Sequence, residues 1–220
     1  MAVPTTVPVA ATVIIPAAGR SERMGRFKPL LPFGEGRLVD QAIANARAVA
    51  ERVVVVTGYR GDELEAHLAR RDRPTGNDRP TGSDRPTGSD RPTGNAGLRV
   101  VRNEHWRLGM LSSIQRGARE VETEYFFVAP ADMPRLTPDI YAALLQPPPR
   151  YAAFPEHRGR RGHPVLISAA VIPRLLAAEV KALGSMRRFL ADYPTETRSI
   201  PNDAIFLDLD TIDEYRAAEG

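Results

Sequence analysis

Runs of apolar and β-branched residues recur along the chain and contain neither glycine nor proline. Val13–Ile15, Arg52–Thr57 and Tyr125–Ala129 are the clearest of them, and Leu98–Val101 is a weaker one. Residues of these types favour strands, and runs that are apolar at successive positions are typical of strands buried on both faces of a parallel sheet. We therefore predict that these segments form the centre of a sheet.

Segments with helical spacing lie between these runs. Val39, Ile43 and Ala46 recur three or four positions apart, and Leu64 and Leu68 lie one turn apart, so each set predicts one face of a helix. Further helices are predicted from near Ser112 and at Asp139–Leu145, Ala169–Ala178, Met186–Asp192 and Ile212–Ala218, and short strands at Ala152–Phe154, Pro164–Ile167, Thr197–Ile200 and Ile205–Asp208. This alternation predicts an α/β fold, a three-layer, Rossmann-like α/β/α sandwich around a mostly parallel mixed sheet. One of the later strands is expected to run antiparallel.

Length and composition limit the architecture and the location. A chain of 220 residues fits a single domain over residues 1–220. The net charge of +3 gives no reason to expect a nucleic-acid or membrane partner. The absence of cysteine excludes disulfides and thiolate metal sites. The first residues lack the charged start of a signal peptide and no apolar run reaches transmembrane length, so we expect a cytoplasmic protein.

A six-residue unit, R-P-T-G-[N/S]-D, is repeated four times over residues 73–96, where the last copy ends in Asn-Ala. A period of six matches neither a helix nor a strand, and the proline and glycine in every unit favour turns or an extended, flexible loop. The charges of the unit nearly cancel. We interpret the repeat as a low-complexity insertion without a catalytic part; a docking or lid element is the alternative.

The loop after the first strand has the composition of a phosphate-binding loop. The small residues Ala17, Ala18 and Gly19 would let the backbone approach a ligand closely, so that its amides face phosphate oxygens. Arg23 and Lys28 would add positive charge at the same place. The loop contains neither the Lys-Ser/Thr pair of a Walker loop nor the Gly-x-Gly-x-x-Gly of a dinucleotide-binding loop. It therefore predicts a nucleoside-triphosphate site of another type.

Two acidic segments are suited to holding a metal ion. Asp132 follows the strand at Tyr125–Ala129, at the carboxyl end where open α/β sheets bind ligands. Beside a phosphate loop a carboxylate is a natural ligand of Mg²⁺, which prefers one or two carboxylates together with phosphate oxygens and water. Asp208 and Asp210 lie on the same side of an extended segment and are candidates for the second ligand. Asp210 or Thr211 could instead cap the helix predicted after them.

Two further motifs allow both a structural and a ligand-binding interpretation. Ser112 and Ser113 lie at a predicted helix N-terminus, which can bind an anion or a pyrimidine edge, although Ser112 could simply cap the helix. His163 precedes the strand predicted at Pro164–Ile167 and could contact an acceptor molecule or hold the turn. The other histidines are scattered and do not form a convincing zinc site.

The first loop resembles the N-terminal signature of the MobA/MocA-like nucleotidyltransferases, which build molybdenum cofactor dinucleotides. That signature runs roughly L-A-A-G-x-S-x-R-M-G-x-x-K-x-L-L, and Pro16 replaces its leading leucine here. The matching positions are Ala17, Ala18, Gly19, Ser21, Arg23, Met24, Gly25, Lys28, Leu30 and Leu31. Ala18-Gly19 in place of Gly-Gly is similar to the molybdenum cofactor cytidylyltransferase (MocA-like) branch.

Other segments resemble further elements of the same family. Residues 131–134 (ADMP) resemble its metal-binding A/G-D-x-P element, and residues 208–214 resemble a D-x-D-T-P-E-D-like element with Ile212 in place of the proline. Residues 109–114 resemble G-x-x-x-S-[LI], and residues 162–166 match a G-H-P-V-L/F stretch of the cytidylyltransferase branch.

The resemblance implies a Mg²⁺-dependent transfer of a nucleotidyl group, CMP from CTP, to the phosphate of molybdopterin, with release of pyrophosphate. The metal ligands would be Asp132 and Asp210, the catalytic residues Arg23, Lys28 and Asp132, and the acceptor-binding residue His163. The nucleotide-binding residues would be Ala17, Ala18, Gly19, Arg20, Arg23, Lys28, Asn103 and Ser113. A molybdoenzyme or its chaperone is an expected protein partner.

Three alternatives stay open at the level of sequence. The same chemistry could act on a sugar or alditol phosphate, or transfer a guanylyl group. An NAD(P)H-dependent reductase and a non-catalytic molybdoenzyme maturation factor are alternatives of other classes. The presence of both Lys28 and Asp132 argues against a non-catalytic protein, because such a protein would be free to lose them.

Overall fold

The computed structural model describes residues 10–21, 24–71 and 97–219. In chain order its strands are β1 (Ala11–Pro16), β2 (Pro32–Phe33), β3 (Gly36–Arg37), β4 (Arg52–Thr57), β5 (Leu98–Arg102), β6 (Tyr125–Val128), β7 (Ala152–His157), β8 (Arg160–Arg161), β9 (Val165–Ser168) and β10 (Thr195–Ser199). Its α-helices are α1 (Leu38–Arg47), α2 (Gly61–Arg71), α3 (Met110–Ala118), α4 (Pro138–Leu145), α5 (Ile172–Ala177), α6 (Val180–Leu183), α7 (Met186–Leu190) and α8 (Ile212–Glu219). Short 3₁₀ helices span Lys28–Leu30, Trp106–Leu108, Ala169–Val171 and Asp203–Phe206.

The main sheet is mixed and mostly parallel, as the sequence predicts. Within the described residues it contains eight strands in the order β10-β7-β9-β6-β1-β4-β5, with β8 paired to β7. Strand β1 lies parallel to β4 and β6, and its Val13 is opposite Val53 on one side and Phe127 on the other. Strand β9 runs antiparallel to β6 and β7, which confirms the expectation of an antiparallel later strand.

The order of the strands brings several loops to one edge of the sheet. The chain passes from β1 to β4 and β5 on one side and then returns to β6 on the other side of β1. These strands are parallel, so the loops that follow them all lie at the carboxyl edge. Strands β4 and β5 are added on one side of β1, and β6 is added on the other side. This change of side leaves a crevice between the loops that follow β1 and β6, and open α/β sheets bind ligands in such a crevice.

Helices cover both faces of the sheet, because alternate side chains of each strand point to opposite faces. In β1, Val13 and Ile15 belong to one buried apolar cluster and Ile14 belongs to another. The first cluster includes residues of α1, α2 and α4, and the second includes residues of α3, α5 and α7. Helix α8 packs through Tyr215 on a smaller cluster with Leu31, Leu38 and Leu209. These layers form the predicted three-layer sandwich.

Two of the predicted segments take a different form in the structure. The prediction of a strand at Ile205–Asp208 is wrong, because the chain forms a 3₁₀ helix at Asp203–Phe206. Asn202 caps that helix, with its Oδ1 accepting a hydrogen bond from the Ala204 amide at 2.9 Å. The helix predicted at Ala169–Ala178 begins as a 3₁₀ turn before α5, in whose first turn a proline is accommodated.

Some sequence interpretations lie outside the described residues. These are the hexapeptide repeat at 73–96, which falls between α2 and β5 in the sequence, and Arg23. Across the described ranges, none of the helices combines the length and the apolar character needed to span a membrane.

Candidate active site

The loop after β1 presents backbone amides to a cleft at the carboxyl edge. The Ala17 amide donates to the Val56 carbonyl at 2.9 Å and the Ala18 carbonyl accepts from the Tyr59 amide at 3.0 Å, which fixes the start of the loop against β4. In the described part of the chain, the amides of Ala18 and Gly19 donate to no protein acceptor. Both residues line the cleft, so these two amides are available to a ligand.

A tight turn between Ser21 and Gly25 positions Lys28. The Ser21 carbonyl accepts hydrogen bonds from the amides of Met24 and Gly25, each at 3.2 Å. Gly25 has a φ of +66°, in the left-handed region that glycine adopts without steric cost. The Ser21 hydroxyl then accepts from the Lys28 amide at 3.3 Å. The positive φ of this turn therefore explains why the sequence signature has a glycine at position 25.

Lys28 joins two acidic residues that are far apart in the sequence. Its Nζ lies 2.8 Å from Asp132 Oδ2 and also donates to Asp210 Oδ1. The Lys28 side chain is 9% exposed, and the carboxylates are 22% and 19% exposed. Burial alone would lower the pKa of Lys28, but the charges and hydrogen bonds of Asp132 and Asp210 outweigh it and raise this pKa above its ordinary value. The ammonium therefore stays charged at neutral pH.

Of the two candidates, Asp210 is the one whose carboxylate shares the Lys28 ammonium with Asp132. The Leu209 amide donates to the Asp132 carbonyl at 3.1 Å, which holds the two segments side by side. Asp208 is exposed, and its pKa is raised by partial burial of the carboxyl and by the charge of Asp210. The cap of α8 is formed by the next residues, because Glu214 accepts from the Thr211 amide at 2.8 Å while Thr211 Oγ1 accepts from the Glu214 amide at 3.3 Å.

The donor set of this site fits a divalent cation. Both carboxylates contact one ammonium, so Asp132 and Asp210 are close enough to share a single ion. Among the described residues, no group of three or more His, Cys, Asp and Glu side chains could hold a metal by itself. Two carboxylates beside an open cleft match the preference of Mg²⁺ for a few protein oxygens, with phosphate and water supplying the rest.

Asn103 and Ser113 hold different positions relative to the cleft. Asn103 is buried, and its Nδ2 donates to the hydroxyls of Ser112 and Ser113 at 2.9 and 3.0 Å, while its Oδ1 accepts from the His105 amide at 2.9 Å. Ser113 lines the cleft directly. Asn103 therefore positions the loop and the start of α3 from behind the lining. Ser112 does not act as the predicted cap, since its hydroxyl donates to the Gly109 carbonyl at 2.7 Å inside a helix that begins at Met110.

The cleft has a volume of about 400 Å³, and part of its lining was missed by sequence reasoning. Trp106 and Met110 line it together with the phosphate loop, Lys28, Asp132 and Asp210. Trp106 is the only tryptophan and follows β5, so its place at the carboxyl edge was a usable signal. Arg20 lies to the side, with its guanidinium 5.5 Å from the centre of the Tyr59 ring.

His163 lines a second, larger cavity of about 750 Å³. The buried Nδ1 of its ring has no hydrogen-bond partner within the described structure. Burial lowers the pKa of His163, and the charges of Asp132 and Asp208 only partly offset this effect. A neutral imidazole has one nitrogen that donates a hydrogen bond and one that accepts. His163 can therefore accept a hydrogen bond from a ligand.

Arginine side chains supply positive charge to the second cavity. Arg160, Arg161 and Arg187 line it. The guanidinium of Arg160 lies 4.5 Å from the centre of the Phe206 ring, and that of Arg161 lies 5.0 Å from the centre of the Phe154 ring. Because Met110 lines both cavities, the phosphate cleft and this cationic chamber adjoin one another.

Comparisons with known proteins agree with the geometry. Residues 13–198 match the family model of the MobA-like NTP transferase domain. The chain is 32% identical over 206 residues, 94% of each chain, to a molybdenum cofactor cytidylyltransferase of Escherichia coli (strain K12). It is similar in structure to a nucleotidyl transferase from Methanothermobacter thermautotroptrophicus, with a TM-score of 0.71, 18% identity and 96% of each chain covered.

A further solved structure is that of Rv0371C from Mycobacterium tuberculosis H37Rv in complex with manganese, with a TM-score of 0.64, 19% identity, and 96% of this chain and 98% of that chain covered. The two structural similarities support the fold, and the family match and the bacterial relative carry the assignment. They also confirm the resemblance that the sequence motifs indicate. The chain thus belongs to the MobA-like NTP transferase family and is a nucleotidyltransferase.

Proposed function

We propose that the protein transfers CMP from CTP to the terminal phosphate of molybdopterin and releases pyrophosphate. The observation that carries this proposal is the convergence of Asp132, Lys28 and Asp210 beside the unpaired amides of Ala18 and Gly19. Cations, amide donors and a pair of carboxylates at one cleft are the groups that nucleotidyl transfer requires, since this chemistry depends on alignment and charge neutralisation.

The residues of the first cleft would bind and orient the triphosphate. The amides of Ala18 and Gly19 would donate to phosphate oxygens, and Lys28 and Arg23 would contribute positive charge. Ser113, held by Asn103, would contact the nucleoside portion. Arg20 would bind the nucleotide at the edge of this loop.

Asp132 and Asp210 would hold a divalent metal ion, Mg²⁺ in our proposal. When bound, such an ion supplies charge neutralisation at phosphate oxygens. The manganese complex of the structurally similar Rv0371C supports the use of a divalent ion in this fold. The donor set of two carboxylates supports the same assignment.

The second cavity would bind the acceptor. Arg160 and Arg161 would attract an anionic molecule, and Phe154 in the same lining would pack against its less polar part. His163 would contact it from the wall of this cavity. A phosphate acceptor is already ionised near neutral pH, since its second pKa is about 6, and no general base is required. The adjoining cavities would place the acceptor phosphate against the triphosphate.

The choice of CTP and molybdopterin rests on the bacterial relative, a molybdenum cofactor cytidylyltransferase, and on the sequence motifs of that branch. A cytoplasmic location and delivery of the product to a molybdoenzyme or its chaperone belong to the same proposal.

Pyrophosphate release measured with Mg²⁺, CTP or GTP, and a panel of acceptors tests the proposal. We expect release with CTP and molybdopterin, and its loss in Asp132→Asn. Release only with a sugar or alditol phosphate, or only with GTP, would replace the proposed substrates. Oxidation of NAD(P)H without pyrophosphate release would contradict nucleotidyl transfer by this site.

A further inference from the structure

The Lys28 ammonium lies where a cation shared by Asp132 and Asp210 would lie. Its Nζ is 2.8 Å from Asp132 Oδ2 and hydrogen-bonded to Asp210 Oδ1, and its side chain is almost buried. Two carboxylates that face each other without a cation would repel one another in this partly buried site. Lys28 therefore serves as the counter-ion of the pair.

A divalent ion and the ammonium cannot occupy this position together. Mg²⁺ binds oxygen ligands at about 2.0–2.1 Å, so an ion between the same two oxygens would lie almost at the place of Nζ. Two cations so close would repel strongly in a site with little water. Entry of the metal ion thus requires the ammonium to leave, and Lys28 itself lines the cleft into which it would move.

We propose that Lys28 is an exchangeable counter-ion, which occupies the metal position until a triphosphate in the cleft receives its ammonium. The inference rests on the proposed function in taking the cleft as a metal–triphosphate site. It goes further by assigning to Lys28 a role before nucleotide binding: the lysine keeps the affinity of the carboxylate pair for free metal low and makes metal binding depend on the nucleotide.

The choice of lysine at this position fits an exchange. A lysine carries a compact charge on a flexible four-carbon stem, whereas the planar guanidinium of arginine pairs with carboxylates through two fixed hydrogen bonds. The chain has two lysines, Lys28 and Lys181, among its 30 basic residues. The backbone of Lys28 is held in a 3₁₀ helix and by Ser21, so the exchange needs only a side-chain movement.

Binding of Mn²⁺ in the absence of nucleotide tests the inference directly. Free Mn²⁺ is counted by electron paramagnetic resonance in solutions of the wild-type protein, Lys28→Met and Lys181→Met. Lys181 is exposed on α6 and is the matched control. We expect Lys28→Met to bind Mn²⁺ about ten-fold more tightly than the wild type or more, and Lys181→Met to bind it like the wild type.

Two further variants show where the gain in Mn²⁺ affinity arises and replace Lys28→Met if that variant does not fold. Adding Asp132→Asn to Lys28→Met should abolish the gain in Mn²⁺ affinity, because the gain arises at this pair. Lys28→Gln also removes the charge but keeps a hydrogen-bond donor, and the same gain is expected if Lys28→Met does not fold. A lysine that only stabilised the fold would lower the melting temperature when replaced and would not raise metal affinity.

An unchanged or weaker Mn²⁺ affinity in both Lys28→Met and Lys28→Gln would overturn the inference. The outcome is separable from that of the proposed function. Pyrophosphate release by the wild type together with no gain in the variants would refute the counter-ion role alone. A gain in the variants together with no nucleotidyl transfer by the wild type would refute the function and leave the counter-ion role standing.

Discussion

At the scale of single residues, the site combines groups that keep their charge with one group that stays neutral. Asp132 and Asp210 hold the charged Lys28 in the first cleft, while burial keeps His163 neutral in the adjoining chamber. The first set is suited to phosphate and metal chemistry, and the neutral imidazole is suited to accepting a hydrogen bond. The two cavities thus differ in the kind of ligand group that they can bind.

The neutral state of His163 predicts a pH dependence of stability. The pKa of His163 is lowered from its ordinary value of 6.5, so the folded protein binds this proton less readily than the unfolded chain. Stability therefore falls as the pH drops below about 6.5. In His163→Gln, the free energy of unfolding, measured with urea at several pH values, should decline less between about pH 6.5 and 5. His105→Gln, which changes an exposed histidine, should behave like the wild type; an identical decline in all three proteins would contradict the prediction.

Much of the site at residue scale could be predicted from the sequence. Lys28 and Asp132 were recognised because a charged residue next to a glycine loop or just after a buried strand has few structural reasons to be there, whereas Asp210 was preferred to Asp208 by resemblance to the family's acidic element. Their direct ion pairing was not predicted, because it depends on contacts between segments 104 and 182 residues apart. The local backbone turns that bring these segments together leave no signal in spacing or composition.

At the scale of elements, close backbone contacts explain the glycines around the site. A Cβ at Gly162 would overlap the carbonyl oxygen of Ile205, and this contact fixes the turn that carries His163. A Cβ at Gly19, in contrast, would meet no atom within 4 Å. Gly162 therefore serves the fold, and we expect Gly19 to serve the ligand.

Two alanine substitutions separate these roles. Gly162→Ala should lower the free energy of unfolding by about 1–3 kcal/mol, because either the turn at Gly162 or the 3₁₀ helix that contains Ile205 must shift to relieve the overlap. Gly19→Ala should leave stability unchanged but weaken CTP binding, because the new methyl group would enter the cleft. Urea unfolding measures the first effect, and fluorescence of Trp106, the only tryptophan, measures the second. Equal free energies of unfolding for Gly162→Ala and Gly19→Ala would contradict the different roles of the two glycines.

Elements with a strong pattern were predicted well, and those formed by capping were not. Strand β4 matches its predicted bounds, Arg52–Thr57, because a fully buried strand must be apolar along its whole length. The segment at Asp203–Phe206 is equally apolar in part, but Asn202 caps it and turns it into a 3₁₀ helix. A single side-chain hydrogen bond of this kind outweighs strand propensity and is not visible in hydrophobic spacing.

At the scale of the whole molecule, the strand order places two unlike cavities at one edge of the sheet. The phosphate cleft lies between the loops that follow β1 and β6. The cationic chamber is formed by β7, β8 and α7, on the side of the later strands. The sequence predicted the first, because the loops after parallel strands share one edge. It did not predict the volume of the second, since that chamber depends on how α7 packs against the strands.

Because the two cavities are proposed to bind different substrates, a substitution in the second cavity should weaken acceptor binding alone. Arg161→Ala should raise the KM for the acceptor several-fold and leave CTP affinity unchanged, because Arg161 lines only the second cavity. Arg119→Ala is the control, since Arg119 is exposed at the far end of α3 from the cleft. Steady-state kinetics of pyrophosphate release measure the first effect and calorimetry the second. A comparable loss of CTP affinity in Arg161→Ala would argue against separate sites.

In our proposal, Asp132 and Asp210 form a metal-dependent triphosphate site. Isothermal titration calorimetry of CTP and GTP in the presence of Mg²⁺, with the wild type and Asp132→Asn, tests it most directly. We predict that CTP binds the wild type more tightly than GTP does, and that Asp132→Asn lowers the affinity for CTP about ten-fold or more. Equal binding of CTP by both proteins, or no binding of either nucleotide by the wild type, would contradict the claim.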